Sequence, residues 1–114
     1  MSVVADRFED LQPVARATNW RGRSGRFYAL DTVALDRFVL NDSGMYLLAA
    51  GGLVLWVGTA DEVVNDAATR TRFRAALDEA EIAFRIAAPE HEIERMTLAW
   101  DLEGAEPVLG LNLA

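Results

Sequence analysis

Hydrophobic residues are densest in the middle of the chain, in two short runs joined by a pair of glycines. The runs cover residues 45–50 and 53–57, and Gly51-Gly52 between them suits a tight turn. Both runs are apolar almost throughout, which is typical of strands that are covered on both faces. The pattern predicts a central β-hairpin with other elements packed against each side of it.

Helical spacing follows this hairpin. Asp66 is a suitable capping residue, and apolar or small residues then recur every three or four positions over 67–80, which predicts a helix there. Thr59 and Glu62 have the spacing of a capping box, which indicates an earlier helix start. The two signals leave the start of the helix open.

The next segment gives one clear pattern and one ambiguous pattern. Residues 82–87 predict a strand. Pro89 suits the opening of a helix in which Ile93, Met96 and Trp100 share a face and which Gly104 ends. Residues 96–102 also alternate between apolar and polar or small side chains, as a half-buried strand does. Of the two interpretations we favour the helix.

Two weaker elements precede the central hairpin. Residues 3–11 predict a short helix. Residues 14–20 and 26–30 flank the loop Arg21-Gly22-Arg23-Ser24-Gly25, whose glycines can take the positive φ values that hairpin loops require. This part of the chain therefore predicts a second hairpin with a basic tip.

The order of these elements predicts the fold class. Hairpins followed by alternating helices and strands indicate an α/β (α+β) fold, with a small sheet that contains antiparallel strands and a central hairpin (45–50, 53–57) flanked by helices. The 114 residues contain no repeat or linker and suit one domain. We expect residues 1–43 to form a helix and hairpin extension packed on a core of residues 44–114.

Composition excludes several kinds of site. The chain has no cysteine and a single histidine, His91, so disulfides, thiolate-ligated zinc and multi-histidine metal sites lack their ligands. The first residues do not resemble a signal peptide, and no apolar run approaches the roughly 20 residues of a membrane helix. We expect a cytoplasmic protein of the bacterial type with no cofactor and no membrane partner.

Charge is distributed unevenly along the chain. The formal net charge of −7 disfavours nucleic-acid binding. Residues 16–30 nevertheless contain four arginines and no acid, whereas residues 78–106 contain nine acids and two arginines, and the chain has no lysine. The basic loop, flanked by aromatic residues, suits either nucleic acid or the acidic C-terminal half, in its own chain or in a second copy. We favour the acidic half as the partner of the basic loop, and we therefore expect that the chain can self-associate through these two regions.

Two residue triplets carry a family resemblance. Gly44-Met45-Tyr46, followed ten residues later by Trp56-Val57-Gly58, resembles the paired motifs of the GIY-YIG nucleases, and the resemblance extends over roughly residues 44–112. It implies that Tyr46 positions or deprotonates the attacking water, that Arg70 neutralises charge on the phosphate, and that Glu103 holds magnesium or manganese. The candidate binding residues, from the basic loop, the second triplet and the arginine-bearing helix, are Trp20, Arg21, Arg23, Arg26, Trp56, Arg72 and Arg74.

The chain departs from this family at several positions. Trp56 replaces a tyrosine, and an indole cannot act as a general base. Thr59 replaces a basic residue, the arginines arrive several positions late, and the metal-binding carboxylate is either Asp101 or Glu103. We therefore expect a degenerate GIY-YIG-like domain without efficient nuclease activity, acting as a binding or assembly module.

Two alternatives remain open from the sequence. The first is an active metal-dependent nuclease that uses Tyr46, Arg70 and Glu103. The second is a gelsolin-like protein-interaction domain, indicated by Phe38-Val39-Leu40 followed by Leu55-Trp56-Val57-Gly58.

Overall fold

Two antiparallel sheets with three helices packed against them make up the fold, so the predicted α+β class is confirmed. The computed structural model describes residues 19–35, 40 and 44–108. The elements in chain order are β1 (Asn19–Arg21), β2 (Phe27–Ala29), β3 (Asp31–Val33), β4 (Met45–Ala50), β5 (Leu53–Gly58), α1 (Ala60–Asn65), α2 (Ala67–Glu79), β6 (Ile82–Ile86), α3 (Glu92–Glu103) and β7 (Glu106–Pro107). The predicted helix over 3–11 and the Phe38-Val39 part of the gelsolin-like pattern lie outside the described residues.

The predicted central hairpin is present as β4 and β5, joined at Gly51-Gly52. It belongs to a four-stranded sheet with the order β3-β6-β4-β5, in which β4 is an inner strand and β5 is at the edge. A bulge interrupts the pairing between Leu48 and Ala49. Of the two hairpin strands, which were both predicted to be central, only β4 is an inner strand of the sheet.

Both faces of the four-stranded sheet are covered, as the apolar runs predicted. Side chains alternate along β4, so that Met45, Leu47 and Ala49 point to one face and Tyr46 and Leu48 point to the other. The first face packs with side chains of β1, α3 and the β2–β3 junction, and the second packs with α1 and α2. The two helix layers are thus separated by the sheet.

Both signals for a helix start are real, because they belong to two consecutive helices. The capping box is present before α1, where the Glu62 carboxylate accepts a hydrogen bond from the Thr59 amide at 2.9 Å and the Thr59 hydroxyl accepts one from the Glu62 amide at 3.3 Å. Asp66 then caps α2 by accepting from the Thr69 amide at 2.8 Å. The extended backbone of Asp66 separates the helices.

The ambiguous segment forms a helix, α3, which begins at Glu92 and not at Pro89. Its buried side carries Leu102, with Leu98 and Ala99 partly buried beside it. The apolar face formed by Ile93, Met96 and Trp100 points the other way, into solvent. Helical periodicity identified the element but not the face that packs.

The basic-tipped hairpin is present as β1 and β2, and Gly25 in its loop has a φ of +92°. It belongs to a three-stranded sheet with the order β2-β1-β7. The strand β7 was not predicted; it pairs Pro107 with Trp20, and Arg21 forms an ion pair with Glu106 at 3.6 Å. Trp20 packs edge-on against Phe84 of β6, which places residues 19–33 within the body of the fold.

None of the helices formed by the described residues (19–35, 40 and 44–108) is long and apolar enough to cross a bilayer.

Candidate functional site

A buried carboxylate joins the basic hairpin to α3. Asp101 is 4% exposed and lies in the last turn of the helix. Its two oxygens accept hydrogen bonds from the Ser24 amide at 2.7 Å, from the Ser24 hydroxyl at 2.8 Å and from the Tyr28 hydroxyl at 2.5 Å. The carboxylate is therefore fully engaged by the hairpin loop and by β2, and its position in the fold is that of an anchor.

The contact between Asp101 and Tyr28 shifts the pKa values of the carboxyl group and of the phenol. Burial alone would raise the pKa of Asp101, but the hydrogen bonds from Tyr28 and Ser24 outweigh that effect and hold the pKa below its ordinary value. The pKa of Tyr28 is raised, first by burial and then by its hydrogen bond to Asp101. Near neutral pH the cluster is consequently an ionised carboxylate held by neutral donors.

The hairpin tip is also held by the end of α3. The Arg23 side chain donates from Nε to the Trp100 carbonyl at 2.8 Å, and the Arg23 amide donates to the Asp101 carbonyl at 3.1 Å. The guanidinium carbon lies 5.3 Å from the centre of the Trp100 ring. Of the partners that the sequence left open for the basic loop, this structure shows the acidic C-terminal half of the same chain.

The hairpin loop approaches α3 so closely at Gly22 that only glycine fits at this position. A Cβ at that position would lie 2.5 Å from the Asp101 carboxyl carbon, well inside van der Waals contact. Gly22 is thus needed because it has no side chain, whereas Gly25 is needed because its φ is positive.

The outward face of α3 carries an apolar surface, which we call the α3 stripe and define as Ile93, Met96, Thr97 and Trp100. Ile93, Met96 and Trp100 are 76%, 61% and 53% exposed. The four side chains surround a shallow hollow of about 290 Å³. Three large apolar side chains stand here in one row on a helix, and contiguous exposed apolar surface is a candidate region for contact with another molecule.

A second depression runs beside the stripe, between α3 and the hairpin. It encloses about 480 Å³, and its walls combine apolar side chains such as Ile86 and Leu98 with the polar groups of Arg26, Tyr28 and Glu94. The stripe and this groove form one continuous surface, because Ile93, Thr97 and Trp100 line both.

The three residues to which the resemblance gives catalytic roles are not brought together. The Tyr46 side chain is 2% exposed and packs in the layer formed with α1 and α2. The Arg70 guanidinium donates to the Val63 and Val64 carbonyls at 2.9 and 3.0 Å and so closes the end of α1. Glu103 is exposed on α3, in the layer on the opposite side of the sheet.

The predicted binding residues also fall in different places. Trp20 and Trp56 are buried in the two separate cores. Arg72 and Arg74 are exposed on α2, and Arg72 donates to the Thr69 hydroxyl at 3.2 Å. Arg21, Arg23 and Arg26 lie on the hairpin. Arg23 lies over the Trp100 ring and Arg26 lines the groove, so these two are close to the stripe, while Arg21 pairs with Glu106.

Among residues 19–35, 40 and 44–108, no group of three or more histidine, aspartate or glutamate side chains is arranged to hold a metal ion.

Comparison of the chain with protein-family models, with curated proteins and with solved structures gives no significant match. The GIY-YIG-like and gelsolin-like resemblances therefore stay predictions. The fold and the surface define the chain as a mixed α+β domain that presents an apolar helix face next to a basic hairpin.

Sequence reasoning missed Asp101 as an anchor and the α3 stripe as an exposed surface. Asp101 is 73 and 77 positions away from Tyr28 and Ser24, so no local pattern connects them. For the stripe there was a usable signal, since α3 also has a second apolar row at Leu98, Ala99 and Leu102, and only one of two opposite rows can face the core.

Proposed function

We propose that this protein is a non-catalytic interaction module and that it binds a protein partner through the α3 stripe. The observation that carries the proposal is the row of exposed apolar side chains at Ile93, Met96 and Trp100. Exposed apolar surface of this kind is costly to keep in water unless another surface covers it for part of the time. Tryptophan and methionine are also enriched where proteins bind one another.

The supporting structure fits a binding role because the stripe is held rigidly. Leu102 in the same helix is fully buried, and Asp101 and the Trp100 carbonyl are fastened to the hairpin. The backbone of a helix fixed in this way has little freedom left to lose on binding, which lowers the entropic cost of association.

The same geometry speaks against the nuclease alternative. General base catalysis requires the base within hydrogen-bond reach of the water it activates, and a phosphate group needs charged partners on the same side. Tyr46 is buried on one side of the sheet, while Glu103 is on the helix that covers the other. The GIY-YIG-like origin stays a prediction, and the interaction proposal does not depend on it.

Site-specific photo-cross-linking in the native cell tests the proposal. We would replace Thr97, inside the stripe, by p-benzoylphenylalanine. The matched control is Thr71 on α2: both threonines are exposed, and each donates its hydroxyl to the carbonyl four residues earlier. The proposal predicts one defined protein adduct from position 97, lost when Met96→Glu is added, and none from position 71. Absence of adducts from both positions, or equal adducts, would overturn it.

A further inference from the structure

The shape of the α3 stripe identifies the kind of element that fits it. Ile93, Met96, Thr97 and Trp100 stand at positions i, i+3, i+4 and i+7 around one hollow. Four residues with this spacing form the hole into which a side chain of a facing helix inserts when two helices pack. The hollow therefore suits a partner helix better than an extended strand, which would need an exposed backbone edge to pair with.

The charges around the stripe identify the chemistry of that helix. By helical geometry Glu92 and Glu103 lie along one side of the stripe, and both are exposed. The other side faces the hairpin, where Glu94 lines the groove together with Arg26 and where Arg23 lies over the Trp100 ring. The acidic border of the stripe is therefore the side of Glu92 and Glu103. At the start of the helix, Glu92 and Glu94 also favour the positive end of the helix dipole. Glu103 is in the last turn, where the dipole disfavours negative charge, so helix stability does not explain its position.

Two occupants from this chain are disfavoured by the same charges. A second copy packed antiparallel through the stripe would bring Glu92 of one copy near Glu103 of the other, between two chains that each carry a net charge of −7. The predicted helix over 3–11 has three acids and one arginine, and so it would also meet like charge.

From the hollow and its acidic border we infer that the α3 stripe binds a basic amphipathic helix of another protein. This inference rests on the proposed function and narrows it. Apolar side chains of the partner fill the hollow at Ile93, Met96, Thr97 and Trp100. Lysine or arginine side chains on one flank of that helix pair with Glu92 and Glu103.

A model peptide tests the inference directly. The probe is a fluorescently labelled synthetic helix of about 14 residues, made of leucine at helical spacing and lysine elsewhere, so that its apolar row is long enough to cover the whole stripe. The comparison peptides are the glutamate-for-lysine version and a scrambled leucine–lysine peptide of the same composition. Fluorescence anisotropy with the full chain is expected to show binding of the first peptide, and affinity at least about tenfold weaker for the other two.

Two protein variants with the same change in charge locate the binding. Met96→Glu places a carboxylate in the hollow and is expected to weaken binding about tenfold or more. Val64→Glu changes another exposed apolar residue, on α1, that lines neither the hollow nor the groove, and is expected to change affinity by less than about twofold. Circular dichroism checks that both variants keep the native helix content.

A third variant tests the acidic border. Glu92→Gln combined with Glu103→Gln is expected to weaken binding of the lysine peptide by about three- to tenfold and to reduce its dependence on salt between ~50 and ~300 mM.

The outcomes separate this inference from the proposed function. Equal binding of the lysine and glutamate peptides, equal effects of Met96→Glu and Val64→Glu, or failure to bind the lysine peptide would overturn the basic-helix inference. The same holds if sedimentation velocity shows a dimer that Met96→Glu dissociates, since a second copy would then occupy the stripe. In each of these cases a defined cross-link from position 97 still supports an interaction module, while the absence of that cross-link overturns the module itself.

Discussion

At the scale of single residues, Asp101 is the one charged side chain that is buried among the described residues. Three donors from the hairpin satisfy its oxygens. The carboxylate and its donors depend on each other, because a polar group that is buried without a hydrogen-bond partner has lost its hydration without compensation.

The first prediction concerns removal of this carboxylate. Asp101→Ala leaves the Tyr28 hydroxyl and the Ser24 amide without their acceptor, and the free energy of unfolding is expected to fall by about 2–4 kcal/mol. Asp101→Asn keeps one acceptor oxygen and is expected to cost less. Urea denaturation at neutral pH measures both. Equal stability of the alanine variant and the unchanged chain would show that the cluster does not hold the hairpin.

The second prediction is a pH dependence at the same residue. The pKa of Asp101 is lower in the folded chain than its ordinary value of 3.8, so as pH falls the unfolded chain binds the proton first. The stability that the carboxylate contributes is therefore present above the ordinary pKa and is lost as pH falls through and below it. Asp66, whose pKa is also lowered by its hydrogen bonds to Thr69, acts in the same direction in every variant.

Urea denaturation of the unchanged chain and of Asp101→Asn at several pH values between about 7 and 3 isolates the Asp101 effect, because the contribution of Asp66 cancels in the difference. The difference in unfolding free energy is expected to be constant at the upper end and to shrink towards the lower end. A difference that grows on acidification would contradict the assigned direction of the pKa shift.

At the scale of elements, the hairpin and α3 are held together by hydrogen bonds between the backbone of one element and the side chains of the other. The loop from Arg21 to Arg26 approaches the helix so closely at Gly22 that no side chain fits there. The arrangement fixes the direction of α3 and, with it, the outward orientation of the stripe.

The third prediction tests that approach. Gly22→Ala puts a methyl group 2.5 Å from the Asp101 carboxyl carbon and is expected to cost about 1–3 kcal/mol of unfolding free energy through overpacking. Gly52→Ala is the matched control, since a Cβ there meets Pro107 at an ordinary 3.5 Å and no positive φ is required. Thermal unfolding compares the two, and a control that destabilises as much as Gly22→Ala would reject the steric explanation.

Most elements were predictable from local sequence, and the reasons are physical. The Gly51-Gly52 turn and the capping residues Thr59 and Asp66 act over a few residues, so their signals are readable without the fold. The strand β3 was missed because its three residues are mostly exposed, and β7 because it has only two residues and depends on β1 for its pairing.

The candidate site was much less predictable. Its anchor connects residues more than 70 positions apart, and its apolar row looks like a core face until the packing of Leu102 shows otherwise. The choice between two opposite apolar rows on α3 is made by the tertiary structure, which no short pattern contains.

At the scale of the whole molecule, the four-stranded sheet separates two helix layers with different roles. One layer contains Tyr46 with α1 and α2, and the other contains α3 with the hairpin. A catalytic site that combined Tyr46 with Glu103 would have to reach through a closely packed sheet, whereas an interaction surface needs only one layer.

The fourth prediction follows for nuclease activity. We expect no manganese-dependent cleavage of single-stranded or branched DNA, because Tyr46 and Glu103 belong to opposite layers. Gel assays with the unchanged chain and with Glu103→Ala should give the same result as buffer. Cleavage that needs manganese and disappears in Glu103→Ala would restore the enzyme alternative.

The measurement that tests the α3 stripe most directly is hydroxyl-radical footprinting of the purified chain and of the chain in native cell extract. Met96 and Trp100 are exposed and reactive side chains, and Phe27, which is 61% exposed on β2, is an internal reference. If a partner covers the stripe, Met96 and Trp100 are oxidised more slowly in extract relative to Phe27. Unchanged ratios, or protection of Phe27 instead, would contradict the assignment of α3 as the interaction surface.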